Sequence, residues 1–297
     1  EVKGIFMKNW EEDDGDNCSS REDYEDAMRV CKNLGIELNL VNFSDKYWTN
    51  VFESFIAELK KGYTPNPDVF CNKEIKFKQY YEYAMSLDFD LIATGHYARK
   101  VNNEEPELHI PKDSLKDQTY FLYMINQNVL TNTLFPLQEL KKDDVKIIAN
   151  DLKLKLNHKK ESMGICFIGK RKFSHFIDKY IEPIRGDIIN FNTGEKIGHH
   201  AGLSKYTVGQ RKGIKISNEK PLYVVNINAE KNTIMVGEKH FLEIDEISLR
   251  DPNFLGNKND FNNLIRVKVR STGRLLKAKV NISNKSALVK ILDKETG

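Results

Sequence analysis

Apolar positions in the first third of the chain alternate between short continuous runs and stripes at helical spacing. The runs predict strands at residues 5–7, 36–41 and 91–94. The stripes predict helices over residues 24–34, 47–59 and 75–87, and Gly35 and Gly62 end the first two of them. Strands that alternate with helices in this way predict an α/β domain with a parallel sheet. Ligands of such sheets bind beyond the carboxyl ends of the strands.

The pattern changes along the rest of the chain. Helical spacing continues over residues 118–152 and 173–181, with a loop at residues 158–169 between them. Short alternating runs then predict strands at residues 222–227, 233–236, 265–269, 278–282 and 287–292, and Asn192-Thr193-Gly194 predicts a hairpin turn. We therefore expect an α/β domain over residues 1–169, a small α+β domain over residues 170–241 and an incomplete β-barrel over residues 242–297.

Two of the four cysteines stand in distinctive surroundings. The prolines of Thr64-Pro65-Asn66-Pro67-Asp68 predict an extended loop that is neither helix nor central strand. Cys71 follows this loop just before a predicted helix, where the helix dipole favours a thiolate. Cys166 lies in a loop between Gly164 and Gly169 that could swing. The other two, Cys18 and Cys31, are expected to be small buried hydrophobes.

Composition narrows the class of protein. A chain of 297 residues with a net charge of +3 has the size of two or three domains but no strong overall attraction to nucleic acid. The cysteines form no C-x-x-C pair, which speaks against a zinc knuckle, and the acidic run Glu11-Glu12-Asp13-Asp14 lacks the ligand spacing of a calcium loop. No apolar run is long enough to span a bilayer. The chain opens on a strand without an initiator methionine, so we expect residues to precede it.

Six segments occur in an order that is specific in combination. They are Phe6-Met7-Lys8-Asn9-Trp10, the stretch from Thr64 to Phe77, Ala93-Thr94-Gly95-His96-Tyr97, Lys116-Asp117-Gln118, the stretch from Gly164 to Gly169, and the stretch from Tyr206 to Gly213. Together they resemble the tRNA 2-thiouridylase family, and the resemblance covers nearly the whole chain.

The resemblance implies an architecture and an activity. The first domain is expected to be of the PP-loop ATP pyrophosphatase type, followed by a central tRNA-binding domain and the C-terminal barrel. The family adenylates the C2 oxygen of the wobble uridine with ATP, whose phosphates bind Mg²⁺, and a cysteine persulfide then delivers sulfur. The partners implied are tRNA and a sulfur-relay donor protein. We expect a monomer that binds no membrane and works in the cytoplasm, or in an organelle if a transit segment has been removed.

The resemblance also assigns roles near the reaction. Cys166 matches the persulfide carrier and Cys71 its partner nucleophile. Asp68 is a candidate proton-transfer group, although an aspartate after proline is equally typical of a simple turn. The segment Asn66-Pro67-Asp68 matches the contact to the target base. Met7 and Gly95 match positions that line the adenine and ribose of ATP.

Further residues match tRNA contacts of the family. They are His96, Lys116, Asp117, Gln118, Lys205, Arg211, Lys212, Arg270 and Ser271. Basic side chains interleaved with Tyr206 and with glycines suit contacts to phosphate and stacking on bases. Charged turns and basic hairpin edges are also common without any ligand. Because a stacked base hides its C2 atom, we expect the wobble uridine to be extruded into the site.

One departure from the family leaves alternatives open. The family's phosphate loop, Ser-Gly-Gly-Val-Asp-Ser-Ser, belongs upstream of the first strand, and no Ser-Gly-Gly occurs in this sequence. Such a loop cradles phosphates with backbone N–H groups, so we expect this chain alone to bind ATP poorly. Two other functions remain: an ATP-dependent amidating ligase on the same fold, and a tRNA-binding fragment without catalysis.

Overall fold

The computed structural model describes residues 1–11, 20–154, 165, 167–169 and 171–293. The chain divides into two compact units. Unit 1 comprises Glu1–Phe52, Pro67–Lys170 and Phe254–Gly256, and unit 2 comprises Glu53–Asn66, Arg171–Asn253 and Asn257–Gly297. Among the described residues, no helix is both long and apolar enough to cross a membrane.

The first half of the chain alternates strands and helices. Its strands are β1 (Gly4–Lys8), β2 (Leu38–Asn42), β3 (Ile92–Ala93), β4 (Arg99–Val101), β5 (Glu107–His109) and β6 (Thr133–Leu134). Its α-helices are α1 (Ser20–Leu34), α2 (Ser44–Tyr47), α3 (Glu53–Lys60), α4 (Pro67–Cys71), α5 (Tyr80–Ser86), α6 (Gln127–Thr131) and α7 (Lys142–Asp151). Two π-helical segments, Trp48–Phe52 and Asn72–Gln79, and a 3₁₀ turn at Thr119–Phe121 complete this half.

The second half is rich in strands, as predicted. It contains α8 (Phe173–Ile177) and the strands β7 (Gly186–Asn190), β8 (Lys196–His200), β9 (Tyr223–Asn228), β10 (Thr233–Gly237), β11 (Glu246–Arg250), β12 (Ile265–Val267), β13 (Leu276–Ile282) and β14 (Ser286–Ile291). Short 3₁₀ turns lie at Leu203–Lys205, Lys239–Leu242 and Lys258–Asn262. The helix that the sequence predicts over residues 173–181 ends earlier, at Ile177.

Parallel pairing in unit 1 confirms the α/β prediction. Strand β1 pairs with β2 in parallel, with Gly4 opposite Leu38, and β3 pairs in parallel with β6. The predicted end of α1 is also confirmed, because Gly35 has a φ of 67° and so takes the left-handed conformation that commonly closes helices. Helix α1 packs closely on β1: a Cβ added at Gly4 would lie 3.0 Å from Cys31 Sγ.

The proline segment differs from the prediction. Pro67 is the first residue of α4, and α4, the π-helix Asn72–Gln79 and α5 follow one another without a break. Proline suits the first turn of a helix because its N–H is not needed there and its φ is already helical. Cys71 therefore lies inside a helix rather than just ahead of one, and the helix-dipole argument for its thiolate is wrong.

The described residues of unit 1 form two apolar clusters. One cluster joins the long helix formed by α4, the π-helix and α5 to the short strands and to α6 through Phe77, Ile92, Leu122 and Leu130. A second, aromatic cluster surrounds Trp10 and consists of Tyr47, Trp48, Phe52 and Phe167, whose ring centroids lie 5.1 to 6.1 Å from that of Trp10.

Unit 2 contains two four-stranded sheets. The first has the order β8-β7-β10-β9, with β7 and β10 parallel and the other pairs antiparallel. The predicted turn between β7 and β8 is confirmed, and Gly194 supplies its positive φ of 73°. The second sheet, β11-β14-β13-β12, is antiparallel throughout. Its side chains alternate between a buried apolar face and an exposed face, and its closure into a barrel stays a prediction.

Candidate functional site

A cavity of about 410 Å³ lies in unit 1 at the ends of its strands. Its lining residues come from β1, from the segment after β3, from the long helix and from the turn before the 3₁₀ segment: Ile5, Met7, Lys76, Tyr80, Ala93, Thr94, Gly95, His96 and Gln118. The cavity is therefore where a parallel sheet places its ligands, beyond the carboxyl ends of strands. Four residues predicted from the sequence meet here: Met7, Gly95, His96 and Gln118.

Strand geometry explains the apolar wall of the cavity. Ile5 and Met7 are two residues apart in β1, so their side chains share one face. Phe6 points to the other face, where its ring packs edge-on against Tyr24 at a centroid distance of 5.2 Å. At Gly95 an added Cβ would meet nothing within 4 Å. The backbone at Gly95 is thus open to a ligand.

Gln118 fixes the segment that borders the cavity. Its side-chain Oε1 accepts a hydrogen bond of 2.8 Å from the backbone nitrogen of Tyr97, and its own backbone nitrogen donates one of 3.0 Å to the Tyr97 carbonyl. The two bonds tie the turn after β3 to the residue before the 3₁₀ segment. The neighbouring Asp117 accepts hydrogen bonds from the backbone and the hydroxyl of Thr119, at 3.0 and 2.6 Å.

His96 is neutral in this site. Its Nδ1 lies 3.0 Å from the Thr94 hydroxyl and its ring packs against Phe77 at 5.6 Å. Burial, reinforced by the positive charge of Lys76, lowers the pKa of His96 to about 3. The imidazole therefore acts as a hydrogen-bonding group rather than as a cation at neutral pH.

Lys76 and Tyr80 were not singled out from the sequence. They stand four residues apart on the long helix, and both line the cavity. Burial raises the pKa of the Tyr80 hydroxyl, so this group stays protonated. The spacing of four residues between Lys76 and Tyr80 in the third predicted helix indicates that both lie on one face. This signal is weak, because polar residues on a helix more often just face solvent.

The same helix carries Asp68 and Cys71. They are three residues apart in α4, a spacing that places both side chains on one side of a helix. Cys71 is 6% exposed. Desolvation by the surrounding protein raises the pKa of the Asp68 carboxyl above its ordinary value, and the positive charge of Lys76 partly offsets this rise. Asn72, the next residue after Cys71, is buried and donates a hydrogen bond of 2.9 Å to the Phe121 carbonyl.

Cys166 lies outside the described residues, as do Cys18 and the acidic residues 12–14. Phe167, the residue after Cys166, is nevertheless held by its contacts with the core of unit 1. The Phe167 side chain is fully buried in the aromatic cluster of unit 1, and the Ile168 side chain is 5% exposed. The backbone nitrogens of Ile168 and Gly169 donate hydrogen bonds to the Ile165 carbonyl, at 2.9 and 3.1 Å. The sequence predicts that the loop of Cys166 could swing, and such a motion would be restrained by the burial of Phe167 next to it.

Unit 2 brings three other predicted residues together. The turn between Thr207 and Gly213 is stabilised by Gln210, whose amide bonds to the Thr207 nitrogen and the Lys212 carbonyl. Arg211 and Lys212 are exposed on this turn. The Arg270 guanidinium reaches the carbonyl of Val208 at 3.5 Å, so its charge lies beside the same turn. The exposed Ser271 follows directly.

Lys205 has a different environment. Its Nζ lies 2.9 Å from Asp178 Oδ2, and both side chains are partly buried. The carboxylate neutralises much of this charge locally. Lys116 belongs to a turn in unit 1, where its nitrogen donates to the Asp113 carbonyl. Asn66 directly precedes α4.

Within the described ranges, no group of three or more His, Cys, Asp or Glu side chains is placed to hold a metal ion. The described residues that line the cavity include no carboxylate. Its donor set of a lysine, a glutamine, a tyrosine, a threonine and a neutral histidine suits a polar organic ligand.

Comparison with known proteins gives the family. The family model described as "tRNA methyl transferase HUP domain" matches residues 1–170, and that described as "tRNA methyl transferase PRC-barrel domain" matches residues 174–238. Proteins named tRNA-specific 2-thiouridylase MnmA are similar to the chain. The one from Marinomonas sp. (strain MWYL1) is 48% identical over 80% of this chain and 62% of its own length. Those from Shigella boydii serotype 18 and Escherichia coli O1:K1 / APEC are each 49% identical over 81% of this chain and 67% of their own length.

The matches cover enough of the chain to assign it to a family. The chain spans about two thirds of the length of these relatives. The first family model alone covers more than half of the chain, and identity to the relatives is close to one half over four fifths of it. The resemblance carried by the six sequence segments is thereby confirmed, and the chain belongs to the tRNA-specific 2-thiouridylase family.

Proposed function

We propose that this chain belongs to an enzyme that uses ATP to replace the C2 oxygen of the wobble uridine, U34, of a tRNA with sulfur. One observation carries the proposal: the cavity lined by Met7 and Gly95 is also lined by the helix that bears Asp68 and Cys71. Its volume of about 410 Å³ lies within the range of small-molecule sites. The names of the relatives support the substrate class.

The chemistry needs ATP because a carbonyl oxygen is a poor leaving group. In the proposed first step the C2 oxygen attacks the α-phosphate of ATP, and pyrophosphate leaves. The oxygen then forms part of an AMP ester, which departs readily as AMP. Met7 and Gly95 are proposed to contact the adenine and ribose. Magnesium is proposed to bind with the nucleotide, mainly through its phosphates.

The second step needs a sulfur nucleophile, for which we propose a persulfide on Cys166. Its terminal sulfur attacks C2 and displaces AMP, which leaves the base joined to Cys166 through a disulfide bond. The Cys71 thiolate then attacks the Cys166 sulfur, releases the 2-thiouridine and forms a Cys71–Cys166 disulfide. A thiol reductant restores both cysteines, and a sulfur-relay protein reloads Cys166.

Asp68 is proposed to exchange protons with the target uracil. Desolvation raises the pKa of Asp68, which is the direction that a carboxyl needs if it is to hold as well as release a proton. Asn66, Pro67 and Asp68 are proposed to contact the base after it leaves the anticodon stack. Contacts to the tRNA are proposed for His96, Lys116, Asp117, Gln118, Lys205, Arg211, Lys212, Arg270 and Ser271.

The remaining expectations about the whole protein are also proposals. They are a PP-loop-type domain over residues 1–169, a central tRNA-binding domain over residues 170–241, a barrel over residues 242–297, a monomeric state and a cytoplasmic location.

Nucleoside mass spectrometry tests the proposal directly. The chain is incubated with tRNA, ATP, magnesium and a protein persulfide as the donor of sulfane sulfur, both as it stands and extended at its amino end by the family's phosphate loop. We expect 2-thiouridine from the extended chain, and none when Cys71 or Cys166 is replaced by serine. Cys31→Ser is the matched control, because Cys31 lies in α1 and lines no part of the cavity.

The other outcomes separate the alternative functions. If the extended chain binds tRNA but makes no 2-thiouridine, thiolation is excluded and an RNA-binding role is favoured. If ATP is cleaved to AMP only when a small carboxylic acid and ammonia are present, the amidating ligase is the better account. Equal activity of the Cys71→Ser and Cys31→Ser variants would remove Cys71 from the mechanism.

A further inference from the structure

Among the described residues that line the cavity of unit 1, Lys76 is the one that carries a full positive charge. We propose that Lys76 is the anion-binding residue of this cavity and that it holds the 5′-phosphate of the bound nucleotide. The inference deepens the proposed function, because it assigns a residue to the phosphate end of the ligand. It does not depend on tRNA or on sulfur transfer, and it can be tested without either.

The composition of the cavity wall points to an anionic ligand. None of its lining residues within the described part of the chain carries a carboxylate. His96 is neutral, and the other polar groups are the uncharged side chains of Thr94, Tyr80 and Gln118. A ligand in this space therefore meets the positive charge of Lys76, and none of the described lining residues carries a negative charge that would offset it.

Lys76 differs from Lys73 and Lys78 on the same helix, because no described carboxylate forms a close ion pair with it. Lys73 and Lys78 both form ion pairs with Glu74, at 3.3 and 2.9 Å. Lys76 is half-buried, yet within the part of the chain that the structure describes no carboxylate oxygen lies within 4.0 Å of its Nζ. A partly desolvated ammonium group without a partner is unfavourable, and a phosphate would remove this cost.

The electrostatic effect of Lys76 on nearby groups also supports a role in binding phosphate. Desolvation raises the pKa of Asp68 and lowers that of His96; the charge of Lys76 partly offsets the first shift and adds to the second, so its field reaches from the α4 segment to the end of β3. Lysine is a compact charge with three rotatable donors on a flexible stem, which suits a phosphate oxygen. The open backbone at Gly95 leaves room for the sugar that would connect this phosphate to a base.

Binding of AMP compared with adenosine isolates the phosphate contact. Titration calorimetry is carried out with the unaltered chain and with Lys76→Gln, Lys76→Arg and Lys73→Gln. We expect Lys76→Gln to weaken AMP binding about tenfold, as for the loss of one charge-assisted hydrogen bond, and to leave adenosine binding unchanged. Lys76→Arg should retain most of the AMP affinity. Lys73→Gln is the matched control on the same helix and should change neither.

Several results would overturn the inference. They are an equal loss of AMP and adenosine affinity in Lys76→Gln, an unchanged AMP affinity in that variant, or an unaltered chain that binds AMP no better than adenosine. None of these results would exclude the formation of 2-thiouridine in the thiolation assay, so the two proposals can fail separately. Conversely, a phosphate-specific effect of Lys76→Gln together with a failed thiolation assay would retain the anion site and exclude the proposed function.

Discussion

Gln118 and Tyr97 are joined by two hydrogen bonds, one at the backbone nitrogen and one at the carbonyl oxygen of Tyr97. Gln118 Oε1 accepts from the Tyr97 nitrogen at 2.8 Å, and the Gln118 nitrogen donates to the Tyr97 carbonyl at 3.0 Å. Gly95 and His96, which directly precede Tyr97, line the cavity. The position of this wall of the cavity therefore depends on a side chain 21 residues further along the chain.

The first prediction concerns this link. Gln118→Met keeps the length of the side chain but leaves the Tyr97 N–H without its acceptor. We expect the free energy of unfolding to fall by about 1–2 kcal/mol, as for a buried donor left unpaired. We also expect weaker binding of both AMP and adenosine, measured by calorimetry, because the segment around Gly95 loses its anchor.

The control for this prediction is Gln118→Glu. Its carboxylate can still accept the hydrogen bond from the Tyr97 nitrogen, so stability should be largely retained. If Gln118→Met is as stable as the unaltered chain and binds adenosine normally, the link does not hold the cavity wall in place.

The second prediction concerns the pH dependence of stability. The pKa of His96 is about 3 in the folded chain and close to 6.5 when unfolded. Between these values the unfolded state binds the extra proton, so stability falls as the pH falls through this window. From pH 7 to pH 5 this one group should cost about 2 kcal/mol. Urea unfolding at both pH values, followed by tryptophan fluorescence, measures the difference.

Replacement of the histidine identifies the group responsible. His96→Gln should remove most of the loss of stability between pH 7 and pH 5, whatever its effect at pH 7. His240→Gln, at an exposed position in unit 2, should leave that loss unchanged. An NMR titration that shows His96 protonating above pH 5 would contradict the prediction.

Much of the candidate site could be predicted because short segments of sequence fix it. Met7 stands near the carboxyl end of the first predicted strand, and Gly95 follows the third. The general rule for parallel sheets then brings the two together. The same local reasoning predicts the glycine that ends α1 and the turn that contains Gly194.

The other features of the fold and of the site depend on contacts between residues that the sequence alone does not reveal. Proline breaks a helix in its interior but begins one at its first turn, and only the backbone around Pro67 shows which case applies. Lys76 is one of several lysines on its helix, and the ion pairs of Lys73 and Lys78 with Glu74 are what set it apart. Lys205 resembles a free basic group in the sequence, but the fold places Asp178 beside it.

The third prediction concerns the basic turn of unit 2. Arg211→Glu, Lys212→Glu and Arg270→Glu should each weaken tRNA binding and make it less dependent on salt. The slope of log affinity against log salt should fall by about 0.7–0.9 for each phosphate that the variant no longer neutralises. Filter binding at several salt concentrations measures this slope.

Two lysines of unit 2 provide contrasts for this prediction. Lys231→Glu changes an exposed charge in the turn between β9 and β10 and should leave the slope unchanged. Lys205→Met leaves the partly buried Asp178 without its partner, so it should lower stability more than affinity. If Lys231→Glu weakens binding as much as Arg211→Glu does, the attraction is spread over the surface and the turn has no special role.

The last prediction concerns the anchor beside Cys166. The Phe167 ring is fully buried against Trp10 and Phe52, at centroid distances of 5.5 and 5.1 Å. Phe167→Ala should destabilise unit 1 by about 3–5 kcal/mol, the usual cost of removing a buried phenyl ring, and Phe167→Leu should cost much less. The only two tryptophans of the chain, Trp10 and Trp48, both belong to this cluster, so fluorescence during urea unfolding reports on it directly.

The same substitution distinguishes an anchor for sulfur transfer from ordinary core packing. At a temperature where Phe167→Leu remains folded, we expect its yield of 2-thiouridine to fall while its AMP affinity is retained, because Phe167 directly follows the proposed sulfur carrier but lines no part of the cavity. Phe55→Leu, a fully buried ring in unit 2, is the control for packing alone and should retain the yield. If both variants lose activity in proportion to their loss of stability, Phe167 contributes to folding and has no separate effect on the position of Cys166.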